Sequence, residues 1–199
     1  MTHEHGDHAG GVFALQRRHG TPVWASRGTC EAVAAPTGTR IAHAGQALTI
    51  GALQLLPFAV SHDAAEPLQL VCRTGTRSIG VVTDLGEPDD AVARALQDCD
   101  ALLLECNHDR GMLEQGPYPV WLKRRIGGAR GHLANAQSAD LLACCRHDAL
   151  RHVVAAHLSR HNNAPSLALA ALRAALRDAS PTALHVADSD HGSAWIDVG

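Results

Sequence analysis

The chain of 199 residues has a single lysine, Lys123, and no excess of positive charge, its net charge being -3 with histidines neutral. A surface built to draw in nucleic acid by bulk charge is therefore not expected. A nucleic-acid substrate stays open, because bound metal ions can supply positive charge locally. Nearly all cations are arginines, which suit bidentate phosphate contacts, although genome composition alone produces the same bias. None of the six cysteines, Cys30, Cys72, Cys99, Cys106, Cys144 and Cys145, forms a C-x-x-C pair. No secretory signal precedes them, so reduced, mostly buried thiols in a cytoplasmic protein are expected. No apolar run reaches the roughly 20 residues that span a bilayer, which argues against a membrane segment. Repeats, low-complexity tracts and linkers are also lacking, so the expectation is one domain over residues 1–199.

With 46% hydrophobic and 19% charged residues, the chain has an ordinary globular composition. The periodicity predicts a helix from Gly10 to Arg18 and a short strand over Pro22–Ser26. Strands broken at Gly51 and Pro57 are expected within Gln46–Ser61, followed by a hairpin around Thr74-Gly75-Thr76-Arg77. After Gly86 the pattern changes. Pro88 suits a first helical turn and Asp89–Gln97 continues it. Ala101–Cys106 and His152–His157 are continuous apolar runs, as in buried strands. Tyr118–Ile126 and Ala136–Arg146 are expected to be helical. Ser166 is expected to cap a helix running to about Arg177, and Leu184–Ala187 and Ala194–Val198 to close the chain as strands. Early strands followed by strand–helix alternation predict a mixed α/β architecture.

The unusual number is 14 histidines, several of them grouped with acids. Thr2-His3-Glu4-His5-Gly6-Asp7-His8 is an H-x-H-x-D-H pattern of imidazole and carboxylate ligands, as Zn²⁺ or Mn²⁺ prefers. Alternate ligands of an extended segment point one way, and the Asp-His that follows turns into a helix, so one loop can serve two metals. His19, His43, His147, His152, His185 and His191 lie in no such motif.

This motif resembles the hallmark of the metallo-β-lactamase superfamily. Later segments follow in that superfamily's order: Val60-Ser61-His62-Asp63, Val81-Val82-Thr83-Asp84-Leu85-Gly86 and Val154-Ala155-Ala156-His157-Leu158-Ser159. Four segments are similar to its YycJ/WalJ branch: Ser61-His62-Asp63-Ala64, Leu104-Glu105-Cys106-Asn107-His108-Asp109, Gly131-His132-Leu133-Ala134-Asn135 and His157-Leu158-Ser159-Arg160-His161-Asn162-Asn163. The resemblance implies a four-layer αββα sandwich and a 5′→3′ exonuclease acting on DNA through a water activated by two divalent metals. It implies one metal on His3, His5 and His62, a second on Asp7, His8 and His157, and Asp84 bridging both. Activity is then expected to disappear in Asp84→Ala.

Asp7 is also expected to hold or deprotonate the attacking water, and His132 to protonate the leaving oxygen, with Glu105 orienting it. A role for His132 as a helix cap or ligand support stays open. Asn107, His108, His161, Asn162 and Asn163 are substrate-contact candidates, each with an outer-shell or turn role as the alternative. Lys123, Arg124 and Arg125 are either a solvated face or a contact to a nucleic-acid backbone. Relatives carry a strand pair and an acidic motif before H-x-H-x-D-H. Nothing precedes Thr2 here except Met1, so an N-terminally incomplete sandwich with exposed apolar edges is expected. A start codon placed too far downstream is the favoured origin, with a fragment or an inactive remnant as the others. The competing activity is hydrolysis of a small molecule, by a cyclic phosphodiesterase or a glyoxalase II-like thioesterase.

Overall fold

The computed structural model describes residues 1–176, 180–188 and 190–199. Among these the chain forms α1 (Gly6–Ala9), α2 (Val12–His19), β1 (Trp24–Ala25), α3 (Arg27–Ala32), β2 (Arg40–Ile41), β3 (Leu48–Ile50), β4 (Leu53–Ala59), β5 (Leu68–Thr74) and β6 (Arg77–Val82). It continues with α4 (Asp90–Leu96), β7 (Ala101–Glu105), α5 (Arg110–Gln115), α6 (Val120–Ile126), α7 (Asn135–Cys145), β8 (His152–Ala156), α8 (Pro165–Ala175) and β9 (Ala183–Val186). No helix of the described residues is long and apolar enough to cross a membrane.

Seven strands form one sheet in the order β3-β4-β5-β6-β7-β8-β9, antiparallel through β6 and parallel from β6 to β9. β1 and β2 form a second, parallel pair. Period-two alternation sorts the large sheet's side chains onto two faces. Leu56, Phe58 and Val71 join the core with Leu96, Leu102, Leu104, Leu141, Leu142, Val153 and Leu172, beneath α4, α7 and α8. Leu55, Pro57, Leu68 and Leu70 point the other way. They line an apolar cavity of about 310 Å³ with Val12 and Leu15 of α2 and with Val23 and Trp24 beside β2. The large sheet is thus covered by α4, α7 and α8 on one face and by α2 and the small sheet on the other, a mixed α/β architecture. Residues 1 and 2 join the two sheets: the Met1 amino group donates to the Trp24 carbonyl, and Leu68 N–H donates to the Thr2 carbonyl.

The structure corrects four local expectations. Pro57 does not break its strand. β3 pairs only with residues 53–55 of β4, so at Pro57 the missing N–H faces a side with no ladder partner. Pro88 stands outside its helix, because Asp89 takes the cap by accepting from Ala91 N–H and Val92 N–H. Ser166 is not a cap, because Pro165, which has no N–H to satisfy, opens α8 one residue earlier. The expected end of that helix at Arg177 lies outside the described residues. Residues 194–198 form no strand; the carbonyls of Val198 and Gly199 are instead taken by Arg151 and Arg77. The short elements α3, α5 and β2 carry too little periodicity to be read from sequence.

Candidate metal centre

The topology brings the chemistry to one edge. β4, β6, β7 and β8 run the same way, so His62, Asp84, Glu105 and His157 all lie at or just past carboxyl ends on a single side of the sheet. The bond from Leu68 to Thr2 ties the N-terminal motif to that same edge. α1 then turns Asp7 and His8 back toward His3. A rigid sheet margin of this kind fixes ligand geometry better than loops alone.

Two sets of three side chains converge, each with its ligand atoms within 4.8 Å of one another: His3, His5 and His62, and Asp7, His8 and His157. Asp84, only 2% exposed, lies between them. One of its oxygens is 3.0 Å from His8 Nε2; the other is 3.6 Å from His157 Nε2 and 3.9 Å from His62 Nε2. Asp7 Oδ2 is 3.5 Å from His8 Nε2 and 4.0 Å from His157 Nε2.

The histidines are held in a common orientation. His62 Nδ1 lies 3.0 Å from the Gly131 carbonyl, and His157 Nδ1 2.7 Å from Glu105 Oε1. His3 and His8 both place Nδ1 on the Thr2 hydroxyl, at 3.2 and 3.1 Å. Anchoring Nδ1 leaves Nε2 turned inward in all four, the arrangement that supports metal-ligating imidazoles. His3 is buried and its Nε2 has no hydrogen-bond partner. Such an atom costs about 1–3 kcal/mol unless something satisfies it. Burial, aided by neighbouring His8, lowers the His3 imidazole to about 4, so its lone pair stays available at neutral pH. These nitrogen and carboxylate donors fit a divalent metal such as Zn²⁺.

Glu105 organises the other half. It is fully buried at the end of β7 and accepts from the N–H groups of Asp84, Leu85 and Leu133, and from His132 Nδ1 and His157 Nδ1. Burial by itself would raise its carboxyl, but the two histidines overcome that and hold it at about 2. His157 moves the other way: burial opposes its charge, and the Glu105 bond outweighs burial, raising it to about 9. Asp84 and His157 both have left-handed backbones, each with φ of 56°. Strain of that kind persists only where neighbours over-determine it, and Glu105 grips both residues.

The loop carrying His132 passes so close to its neighbours that Gly131 is required. A Cβ there would stand 2.1 Å from the Ile126 carbonyl oxygen. His132, bound to Glu105 through Nδ1, lines a polar pocket of about 400 Å³ with His5, Asp7, Asp84, Asn107, Tyr118, Arg125 and His157. Of the expected substrate contacts, Asn107 lines this pocket and donates to the His157 carbonyl. His161 is exposed and packs edge-on against Tyr118, with ring centroids 5.9 Å apart. His108 faces a different pocket. Asn162 and Asn163 are buried: Asn162 Nδ2 donates to the Ser159 hydroxyl, and Asn163 Nδ2 to the Cys106 carbonyl and to Asn135.

Sequence reasoning missed Thr2, Tyr118 and the ion pair of Arg125 with Asp63 at 2.5 Å. Asp63 carried a signal in its position next to His62, and Arg125 in the charge run over residues 123–125. The Arg125 bond overcomes the effect of burial and lowers the Asp63 carboxyl.

Residues 1–158 match the family model described as the Beta-lactamase superfamily domain. The chain is 36% identical over 174 residues to exodeoxyribonuclease YycJ of Bacillus anthracis, covering 84% of this chain and 66% of that protein. It is 32% identical over 176 residues to exodeoxyribonuclease WalJ of Streptococcus pneumoniae, covering 84% and 65%. It therefore spans just under two thirds of the length of these relatives. Among solved structures it is similar to the metallo-beta-lactamase fold protein YhfI from Bacillus subtilis, with a TM-score of 0.71 and 14% identity over 94% of this chain and 73% of that one. Zn(2+)-bound PqqB from Methylobacterium extorquens gives a TM-score of 0.64 and 17% identity over 94% and 69%. At such identities the likeness to solved structures concerns the fold alone.

Proposed function

The chain belongs to the β-lactamase superfamily, and from that premise we propose that it is a metal-dependent phosphodiester hydrolase, a 5′→3′ exonuclease acting on DNA. The observation that carries this reading is the convergence of two ligand triads on one buried carboxylate, Asp84. His3, His5 and His62 would hold one divalent ion and Asp7, His8 and His157 a second, either Zn²⁺ or Mn²⁺. Bound there, such ions polarise phosphoryl oxygens and bring the pKa of water toward neutrality. The names of the YycJ and WalJ relatives support DNA as the substrate. Six free cysteines support a reducing, cytoplasmic location.

The chain's own groups supply the rest. Asp7 is exposed at the pocket mouth and reaches toward His8 and His157, where it can orient or deprotonate water. Glu105 holds His132 through Nδ1–H, so that the ring, when protonated, can donate its Nε2–H to the departing oxygen. Asn107 and the Tyr118–His161 pair lie where the substrate would enter.

The direct test is cleavage of end-labelled single-stranded DNA and RNA with Mn²⁺ or Zn²⁺. The expected result is stepwise shortening of DNA from its 5′ end, stopped by a chelator. If neither polymer is cut while the protein binds metal, the nuclease reading is lost and small phosphodiesters become the substrates to try.

Two further outcomes are expected. Metal at about 100 times its Kd should stabilise the fold by about 2.7 kcal/mol. For a chain of this size that raises Tm by roughly 5–10 °C. A thermal scan showing no difference between metal and chelator would contradict the site. His132→Ala should slow DNA cleavage by about 10²–10⁴-fold. The same variant should hardly affect bis(p-nitrophenyl) phosphate, whose leaving group departs without a proton. Equal losses on both substrates would remove His132 from the proton-donor role.

A further inference from the structure

Behind the metal pocket lies a second depression of about 620 Å³ between α5 and α6, lined by His108, Arg110, Leu113, Glu114, Val120, Lys123, Arg124, Gly127 and Gln137. Three cations face one carboxylate there, in a chain whose overall charge is negative. Lys123 Nζ is held at the rim by the Glu114 carbonyl, 2.7 Å away, while Arg110 and Arg124 are exposed. His108 is only 2% exposed, and its Nδ1 has no hydrogen-bond partner. Leu113 and Val120 add apolar surface beside the cations.

α6 is shared between the two depressions. Arg125 and Ile126 line the metal pocket, whereas Lys123, Arg124 and Gly127 line the second one. The adjacent residues Asn107 and His108 divide in the same way. A strand that crosses this ridge, about 10 Å wide, would reach from one pocket to the other. Cations beside apolar surface suit a phosphate with its base, the pairing used by grooves that track single strands.

We infer that the α5–α6 pocket is a second nucleotide subsite, holding a unit of the same strand whose scissile bond lies at the metal cluster. The inference rests on the nuclease reading and adds to it a binding determinant away from the reacting atoms. The test is the double variant Arg110→Ala/Arg124→Ala, with two measurements. One is binding of a labelled single-stranded oligodeoxynucleotide of about 20 nucleotides, followed by anisotropy with chelator present so that nothing is cut. The other is metal-dependent hydrolysis of bis(p-nitrophenyl) phosphate, which is too small to span both pockets.

The expected result is oligonucleotide binding weakened by roughly 10-fold, with a salt dependence shallower by about 1.4 in log–log slope for two lost phosphate contacts. Hydrolysis of the small diester should be unchanged in kcat and KM. Unchanged binding and slope would overturn the subsite and leave the exonuclease reading standing. Loss of small-diester hydrolysis together with binding would also overturn it, by placing the effect at the metal cluster. If the unsubstituted protein hydrolyses the small diester yet binds no oligonucleotide, both readings fall together.

Discussion

Asp84→Asn is expected to lower metal-dependent phosphodiester cleavage by on the order of 10³-fold, the scale of losing a preorganised charged group at a reacting centre. Among the described residues, Asp84 is the one carboxylate within 4 Å of histidines from both candidate ligand triads. Burial would raise its carboxyl, but the His8 bond and the nearby imidazoles reverse that and hold it well below the ordinary range. It is therefore anionic at neutral pH. Asparagine is preferred to alanine because Asp84 has a left-handed backbone, which Asn tolerates. Alanine there adds strain of about 1–2 kcal/mol that would blur catalysis with folding. The variant should keep its far-UV spectrum while bound metal falls from about two ions per chain to about one. Elemental analysis beside a kinetic assay checks both statements. Full activity with full metal content would mean that Asp84 bridges nothing.

Much of this centre was legible in the sequence because it is local. H-x-H-x-D-H places four candidate ligands within six residues, and the runs ending at Glu105 and His157 are apolar enough to announce buried strands. Their common edge then follows from parallel pairing. What stayed hidden depends on contacts far apart in the chain. That Glu105 serves His157 as well as His132 joins residues 52 and 27 positions away. Asn107 and His108 are neighbours in sequence, yet a strand end sends their side chains into different pockets. Asn162 and Asn163 look like loop donors, but their amides are spent on Ser159, Cys106 and Asn135. Pro57 looked like a breaker because nothing local says that β3 stops short of it.

Glu105→Gln should cost the metal-free protein about 3–5 kcal/mol, the range for breaking a buried charged network by altering one partner. The carboxylate receives five N–H groups, three on Oε1 and two on Oε2. A glutamine amide keeps one oxygen and turns an NH₂ toward groups that are themselves donors. The bonds that secure the left-handed backbone of Asp84 and the ring of His157 weaken together, so metal affinity falls with stability. The pH dependence separates this account from a simple packing defect. Glu105 is held at about 2 against an ordinary value of 4.5, so its stabilisation is complete above 4.5 and is lost as pH falls toward 2. His157 is raised from 6.5 to about 9, so its share is complete below 6.5 and is lost as pH rises through 9. The contribution of this pair to the stability of the metal-free protein should therefore be greatest between about pH 4.5 and 6.5, with both of its flanks flattened in Glu105→Gln. Metal on His157 Nε2 should abolish the alkaline flank, because the ligand is then held deprotonated. Urea midpoints of both proteins across this range decide the matter. Parallel curves offset by a constant would mean that the buried carboxylate contributes shape and not charge.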